Sequence, residues 1–400
     1  MDIALLFRAP RSHAEPENNR AIRQVTVHNA AIDRVRALLM LLVLLHHAVI
    51  PYTYFGGTDA EKWIGFDTIV LANDSFFMAM FFFLSGLFVW PGLAHKAAPE
   101  FLSQRLVRLG LPFVIAVFTI IPLAYYALEL RRTPDISFVE FWLKTITVGP
   151  WPSGPVWFLW VLLACDVVAC ALSRVAPRLL DPVNLLSVRS YDRPHEFFAI
   201  LLVVTGAAYT PLRVYFGAGH WFEFGPLSVQ ASRVLLYPSY FFLGAAVGAA
   251  NLDRGLLGTN GQLQRSRLSW ALAAIVTYCL LWVLIYVKRE HLGNPAWLPA
   301  WYEVSYGFLF VVFSAAIMFA LLGHFLRLNR SALPLLDSIR PYAYGMFLVH
   351  YPIVLWIQYG LFDVDLDAIA KALITFVLTV LLSLATTTVL RALPGAQRVL

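Results

Sequence analysis

The chain has 400 residues, of which 60% are hydrophobic and only 14% charged. An ordinary soluble domain carries about a quarter charged residues, so this composition excludes one and predicts an all-α, polytopic membrane protein. The net charge of +6 is spread through short loops between apolar runs, which argues against a nucleic-acid partner and for the lipid bilayer.

In chain order, residues 1–30 are polar and basic and read as a mostly disordered cytoplasmic tail. Met1–Phe7 is too short for a signal-peptide core. Apolar runs then predict ten spans, at about 35–54, 66–90, 109–130, 155–174, 196–216, 232–250, 268–287, 303–323, 341–360 and 369–391. They form one membrane domain over 31–393, followed by a short cytoplasmic tail, 394–400. Ten spans put both termini on one side. The N-tail, the even-numbered loops and the C-tail hold most of the 30 Lys and Arg residues, while the odd loops hold acids such as Asp59, Glu61 and Glu223. By the positive-inside rule the basic side is cytoplasmic. Cys165, Cys170 and Cys279 lie in apolar runs with neither metal-ligand spacing nor a disulfide framework, so no metal and no bound cofactor are expected.

The first span carries the sharpest signal. Asp33 and Arg36 precede nine apolar residues and then His46-His47. Arg36 and His47 are about three helical turns apart and share a face. His47 lies about 16 Å deeper than Arg36, near the middle of a hydrocarbon core roughly 30 Å thick. An ionisable group there is either an interhelical hydrogen-bonding residue or a functional one, here a general base. His46 points about 100° away and reads as packing. In the second span, Ser85 is the one hydroxyl in a long aromatic run, read either as back-bonded to its helix or as lining a catalytic cavity. Gly86 reads as a close-packing position, and Asp74 as acceptor-side.

Arg105 and Arg108 are one turn apart and read either as lipid anchors or as a phosphate clamp, opening at the level of Arg36. Trp157 and Trp160 are ordinary interfacial residues taken alone, and Asp166 sits mid-span and needs a partner. His220, Glu223 and Arg233 form a polar surface in the loop after the fifth span. In the ninth span, His350 lies near mid-depth beside Pro352, which should kink the helix. It is either a structural hydrogen-bonding histidine or a second catalytic one.

Five of these stretches together resemble the integral-membrane acyltransferase-3 family. They are Asp33-x-x-Arg36 with His47; Phe81-Phe82-x-x-Ser85-Gly86; Arg105-x-x-Arg108-Leu109-x-x-Pro112; Val156-Trp157-Phe158-Leu159; and Tyr344-Gly345-x-x-Leu348-x-His350-x-Pro352. The order is the family's. Asp33-x-x-Arg36-Ala37 and Tyr240-Phe241-Phe242-Leu243-Gly244-Ala245 are similar to the glucan-biosynthesis branch, thought to succinylate periplasmic glucans. Phe77 departs from that branch, which has a basic residue there, and this leaves the acyl group open.

The resemblance implies a membrane O-acyltransferase in the plasma membrane, the bacterial inner membrane. Its donor would be cytoplasmic acyl-CoA (acetyl-CoA or succinyl-CoA), its acceptor a hydroxyl of an exported or envelope carbohydrate polymer. Arg36, Arg105 and Arg108 would hold the donor. Asp33, Gly86, Trp157 and Tyr344 would have orienting roles. The competing reading is a proton-coupled transporter of a small molecule or glycolipid, since mid-membrane histidines and kinked helices also mark those. Against it, the sequence shows no inverted repeat. A non-enzymatic scaffold would leave the aligned polar stripe unexplained.

Overall fold

The computed structural model describes residues 17–399 apart from 177, 179–180, 251, 253–254 and 294–297. The architecture is a helical bundle. The principal helices are α1 (Glu17–Val49), α2 (Ile64–Gly86), α3 (Ala98–Leu130, with two π turns), α4 (Phe138–Thr147), α5 (Trp157–Val175) and α6 (Pro194–Phe216). A two-stranded antiparallel hairpin follows, β1 (Trp221–Phe224) with β2 (Leu227–Gln230), in register Trp221 opposite Gln230. Then come α7 (Leu236–Ala249), α8 (Arg267–Glu290), α9 (Ala300–Arg327), α10 (Ala343–Leu361) and α11 (Ala368–Ala392).

Among the described residues, eight helices are long and apolar enough to cross a membrane. The predicted sixth and ninth spans exist as α7 and α10 but fall outside that set. The 14 residues of α7 cover about 21 Å, less than a hydrocarbon core. In α10, His350, Gln358 and the tyrosines 344, 351 and 359 dilute the apolar run. The expected tail divides. Residues 1–16 lie outside the described residues, whereas the chain is helical from Glu17 and runs unbroken into the first span. The hairpin has no counterpart in the sequence reading.

Helix α1 lies at the centre, packed on α2, α9, α10 and α11. It is anchored by Arg34, whose Nε and Nη2 donate to the two Asp337 oxygens at 2.6 and 2.8 Å. That fork holds the Asp337 carboxyl below the usual carboxylate range. The pair therefore stabilises the fold at neutral pH, and its contribution fades as acid protonates Asp337. Pro51 ends α1 in a tight turn, Ile50–Tyr52. The chain that follows is held by Asp67, whose carboxylate accepts from the Tyr54 and Phe55 amides at 3.1 and 2.8 Å. The start of α11 is capped by Asp367, which accepts from the Ala370 amide at 2.8 Å.

Two close approaches set the bundle. A Cβ at Gly86, Gly244 or Gly248 would collide with the backbone carbonyls of Phe241, Phe83 and Leu87 respectively, so α2 and α7 touch backbone to backbone. Along α11, Thr375, Thr379, Ser383 and Thr387 recur every fourth residue with no exposure, a row of small side chains that lets α10 and α1 come close. The prolines of α3 leave carbonyls free four residues back. Pro112 spares the Arg108 carbonyl, which accepts from the Tyr344 hydroxyl. Pro122 spares the Phe118 carbonyl, which accepts from Trp142 Nε1 at 2.8 Å. The π turns at Leu106–Gly110 and Ala116–Ile120 absorb the disrupted ladder.

Candidate active site

Two chambers share one wall. The first, about 570 Å³, is lined by five cations, Arg36, Lys96, Arg105, Arg108 and Arg340, with Asp33, Ser85 and Tyr344 between them. The second, about 320 Å³, is lined by His46 and His47, the aromatics Tyr125, Trp157, Trp221, Tyr237 and Tyr351, and the charged Asp74, Glu223 and Arg233. Met78 and Phe347 line both. Arg36 and His47 share α1, yet each faces its own chamber, as their axial separation requires.

In the cationic chamber two of the guanidinium groups, those of Arg36 and Arg105, are aimed by something behind them. Arg36 donates to the Leu84 carbonyl at 3.1 Å, lies 3.5 Å from Asp33 and sits over the Phe88 ring at 4.7 Å. Arg105 Nε is 3.4 Å from Asp166, whose side chain is 1% exposed. Asp166 therefore has its partner, from an element 61 positions earlier. Arg105 also covers the Phe101 ring at 4.9 Å. Arg108 is exposed and rides on the first π turn, its carbonyl held by Tyr344. Ser85 is half-buried, and its hydroxyl makes no hydrogen bond to its own helix among the described residues; it opens to this chamber rather than to His47. Lys96, whose Nζ lies 2.5 Å from Gln104 Oε1, and Arg340 enter the sequence reading only among the basic residues of the even-numbered loops. Both come from loops, and no periodicity points to them.

In the aromatic chamber His47 is half-buried, with its ring 5.3 Å from His350, 5.2 Å from Tyr351 and 5.4 Å from His46. His350 is fully buried and lines neither chamber. Its Nδ1 lies 2.7 Å from the Phe347 carbonyl, which assigns the proton to Nδ1 and leaves Nε2 without a partner among the described residues. Tyr351 donates to the Tyr125 hydroxyl at 3.4 Å. His46, expected to pack, stands 5.1 Å from the Phe77 ring. Asp74 is bound by Arg233, whose Nη1 reaches both its Oδ1 and its carbonyl, at 3.0 and 2.9 Å.

The hairpin brings Trp221, Glu223, Ser228 and Gln230 over this chamber. It is pinned by Ser153 Oγ at 2.5 Å from Ser228 Oγ and by Trp160 Nε1 donating to the Ser228 carbonyl at 3.0 Å. Trp157 is buried at the chamber wall, 5.1 Å from Tyr237. His220 is exposed and stacked on Phe216 at 5.5 Å, outside the lining. The structure thus gathers Asp33, Arg36, Ser85, Arg105, Arg108 and Tyr344 in one chamber, and His47, Asp74, Trp157 and Glu223 in the other. His350 stands behind the second, and His220 stands apart.

A cation-lined cavity meeting a histidine-bearing aromatic one suits a reaction between an anionic donor and a separate acceptor. A family model described as an acyltransferase domain matches residues 29–388. The chain belongs to the acyltransferase-3 family. It is a membrane acyltransferase for groups other than aminoacyl. No curated protein and no solved structure matches this acyltransferase.

Proposed function

We propose that this acyltransferase moves an acetyl or succinyl group from cytoplasmic acyl-CoA to a hydroxyl of an exported or envelope carbohydrate, across the bacterial inner membrane. The single observation that carries the reading is the pair of chambers meeting at Met78 and Phe347, one lined by five cations and the other holding His47. The cationic chamber opens on the side of the basic loops and takes the phosphates of the donor, with Arg36, Arg105 and Arg108 as their principal partners. Lys96 and Arg340 add charge at its mouth. The aromatic chamber takes the acceptor, with sugar faces against tryptophan and tyrosine and sugar hydroxyls on Glu223 and the Asp74–Arg233 pair. A glucan is the first acceptor to test. Both ends of the chain on the cytoplasmic side complete this arrangement.

The chemistry needs one base between the two substrates. His47 accepts the proton of the acceptor hydroxyl as its oxygen attacks the thioester carbonyl. A C–O bond forms, the tetrahedral intermediate collapses, and the C–S bond breaks. The departing CoA thiolate recovers the proton from the His47 imidazolium. His350 and Tyr351 hold the ring, and Ser85 contacts the donor near its acyl end. Transfer from radiolabelled acyl-CoA in membrane vesicles tests the assignment. His47→Ala should lower turnover by about 10²–10⁴-fold; undiminished turnover would remove His47 from the mechanism.

A further inference from the structure

We propose that Gln358 is the positioning residue for His47, its side-chain amide replacing the backbone N–H that Pro51 lacks. The inference rests on His47 being the base. Pro51 lies four residues after His47 and three after Ala48, in a stretch still wound as a helical turn. Any other residue there has an N–H for one of those carbonyls. Gln358 supplies the missing donor from α10. Its Nε2 lies 2.8 Å from the His47 carbonyl and 3.4 Å from the Ala48 carbonyl. The side chain is 7% exposed, so its amide has no bulk water to turn to.

The consequence is that one rigid helix registers both ends of the residue. His350 and Tyr351 of α10 meet the His47 ring. Gln358, two turns further on, holds its backbone. The same device occurs at Arg108, where Pro112 frees the carbonyl and Tyr344, again from α10, donates to it. In a third case, Pro122 and Trp142, the donor comes from α4 and touches neither chamber. In the two cases where a proline frees the carbonyl and α10 supplies the donor, the carbonyl belongs to a candidate site residue.

The test is a suppressor experiment on the purified full chain, with kcat, donor KM and thermal melting measured for Gln358→Leu, Pro51→Ala and their combination. Each is made both alone and with His47→Ala. Gln358→Leu should lower kcat roughly ten- to hundredfold, the scale of a displaced catalytic group, with donor KM within about twofold. Pro51→Ala should be close to the parent. The combination should recover most of the lost kcat, because Pro51→Ala restores a backbone donor at that position.

With His47→Ala, Gln358→Leu should remove nothing further from the residual rate. A cap that served stability alone would leave kcat of the folded fraction intact and give the same change in melting in either background. If Gln358→Leu does not fold, Gln358→Met is read in its place, since a thioether of similar length has no hydrogen to donate. Parental kcat in the Gln358 variant, or a folded double variant no faster than it, overturns the proposal. Undiminished turnover in His47→Ala overturns the base assignment instead, and the two failures are separately visible.

Discussion

Gly244→Ala is the smallest change that should disable both chambers at once. Its new methyl group would be driven into the Phe83 carbonyl of α2, with Phe83 carbon atoms behind it. Backbone cannot rotate aside as a side chain can, so α2 and α7 would have to separate by roughly 1 Å, an overpacking cost of about 1–3 kcal/mol. The functional effect should exceed the stability effect. Helix α2 carries Ser85 on one chamber, Asp74 on the other and Met78 on their shared wall, and a displacement of about 1 Å near reacting groups can cost about a hundredfold in rate.

The assay pairs melting of the purified protein with kcat measured well below the melting point. Gly360→Ala is the control, since a Cβ there meets nothing within 4 Å and should be neutral or mildly stabilising. If Gly244→Ala matches the parent in both melting and kcat, the backbone-to-backbone approach of α2 and α7 is wrong.

Neutralising Arg105 and Arg108 together should raise donor KM severalfold while acceptor KM stays put; unchanged donor KM in a folded variant refutes the clamp. Asp166→Asn should raise donor KM in the same direction but by less, because Arg105 stays charged and loses only its anchor. Lys371→Met strands Asp59, the two side chains being 3% and 6% exposed at 3.2 Å. Breaking such a buried pair costs about 3–5 kcal/mol, read as a lower melting temperature that a second substitution, Asp59→Leu, largely restores. Glu223→Gln should raise the KM for the acceptor and leave that for the donor alone; the reverse pattern would exchange the two chambers.

Much of this was legible in the sequence because it is local. Apolar runs located the helices, and helical spacing placed Arg36 and His47 on one element at different depths. What stayed hidden depends on distant partners. Asp166 announced a need for a cation, but nothing in its own span names Arg105. Gln358 reads as a polar interruption near the end of a span, and only the fold brings it to the carbonyl that Pro51 leaves free. The hairpin of Trp221–Gln230 is too short for its period-2 pattern to stand out between two long apolar helices, although it closes the aromatic chamber. Prolines 112 and 122 announce disrupted helix, but the π turns that absorb the disruption have no sequence signature of their own.

The wall made by Met78 and Phe347 bears on how a cell keeps its ion gradients while running such a reaction. If only a carbon fragment of two or four atoms passes that point, the nucleotide carrier never leaves the compartment that makes it, and no open conduit is ever needed. Under the proposed function, the side chains of Met78 and Phe347 then form part of the barrier between the two compartments.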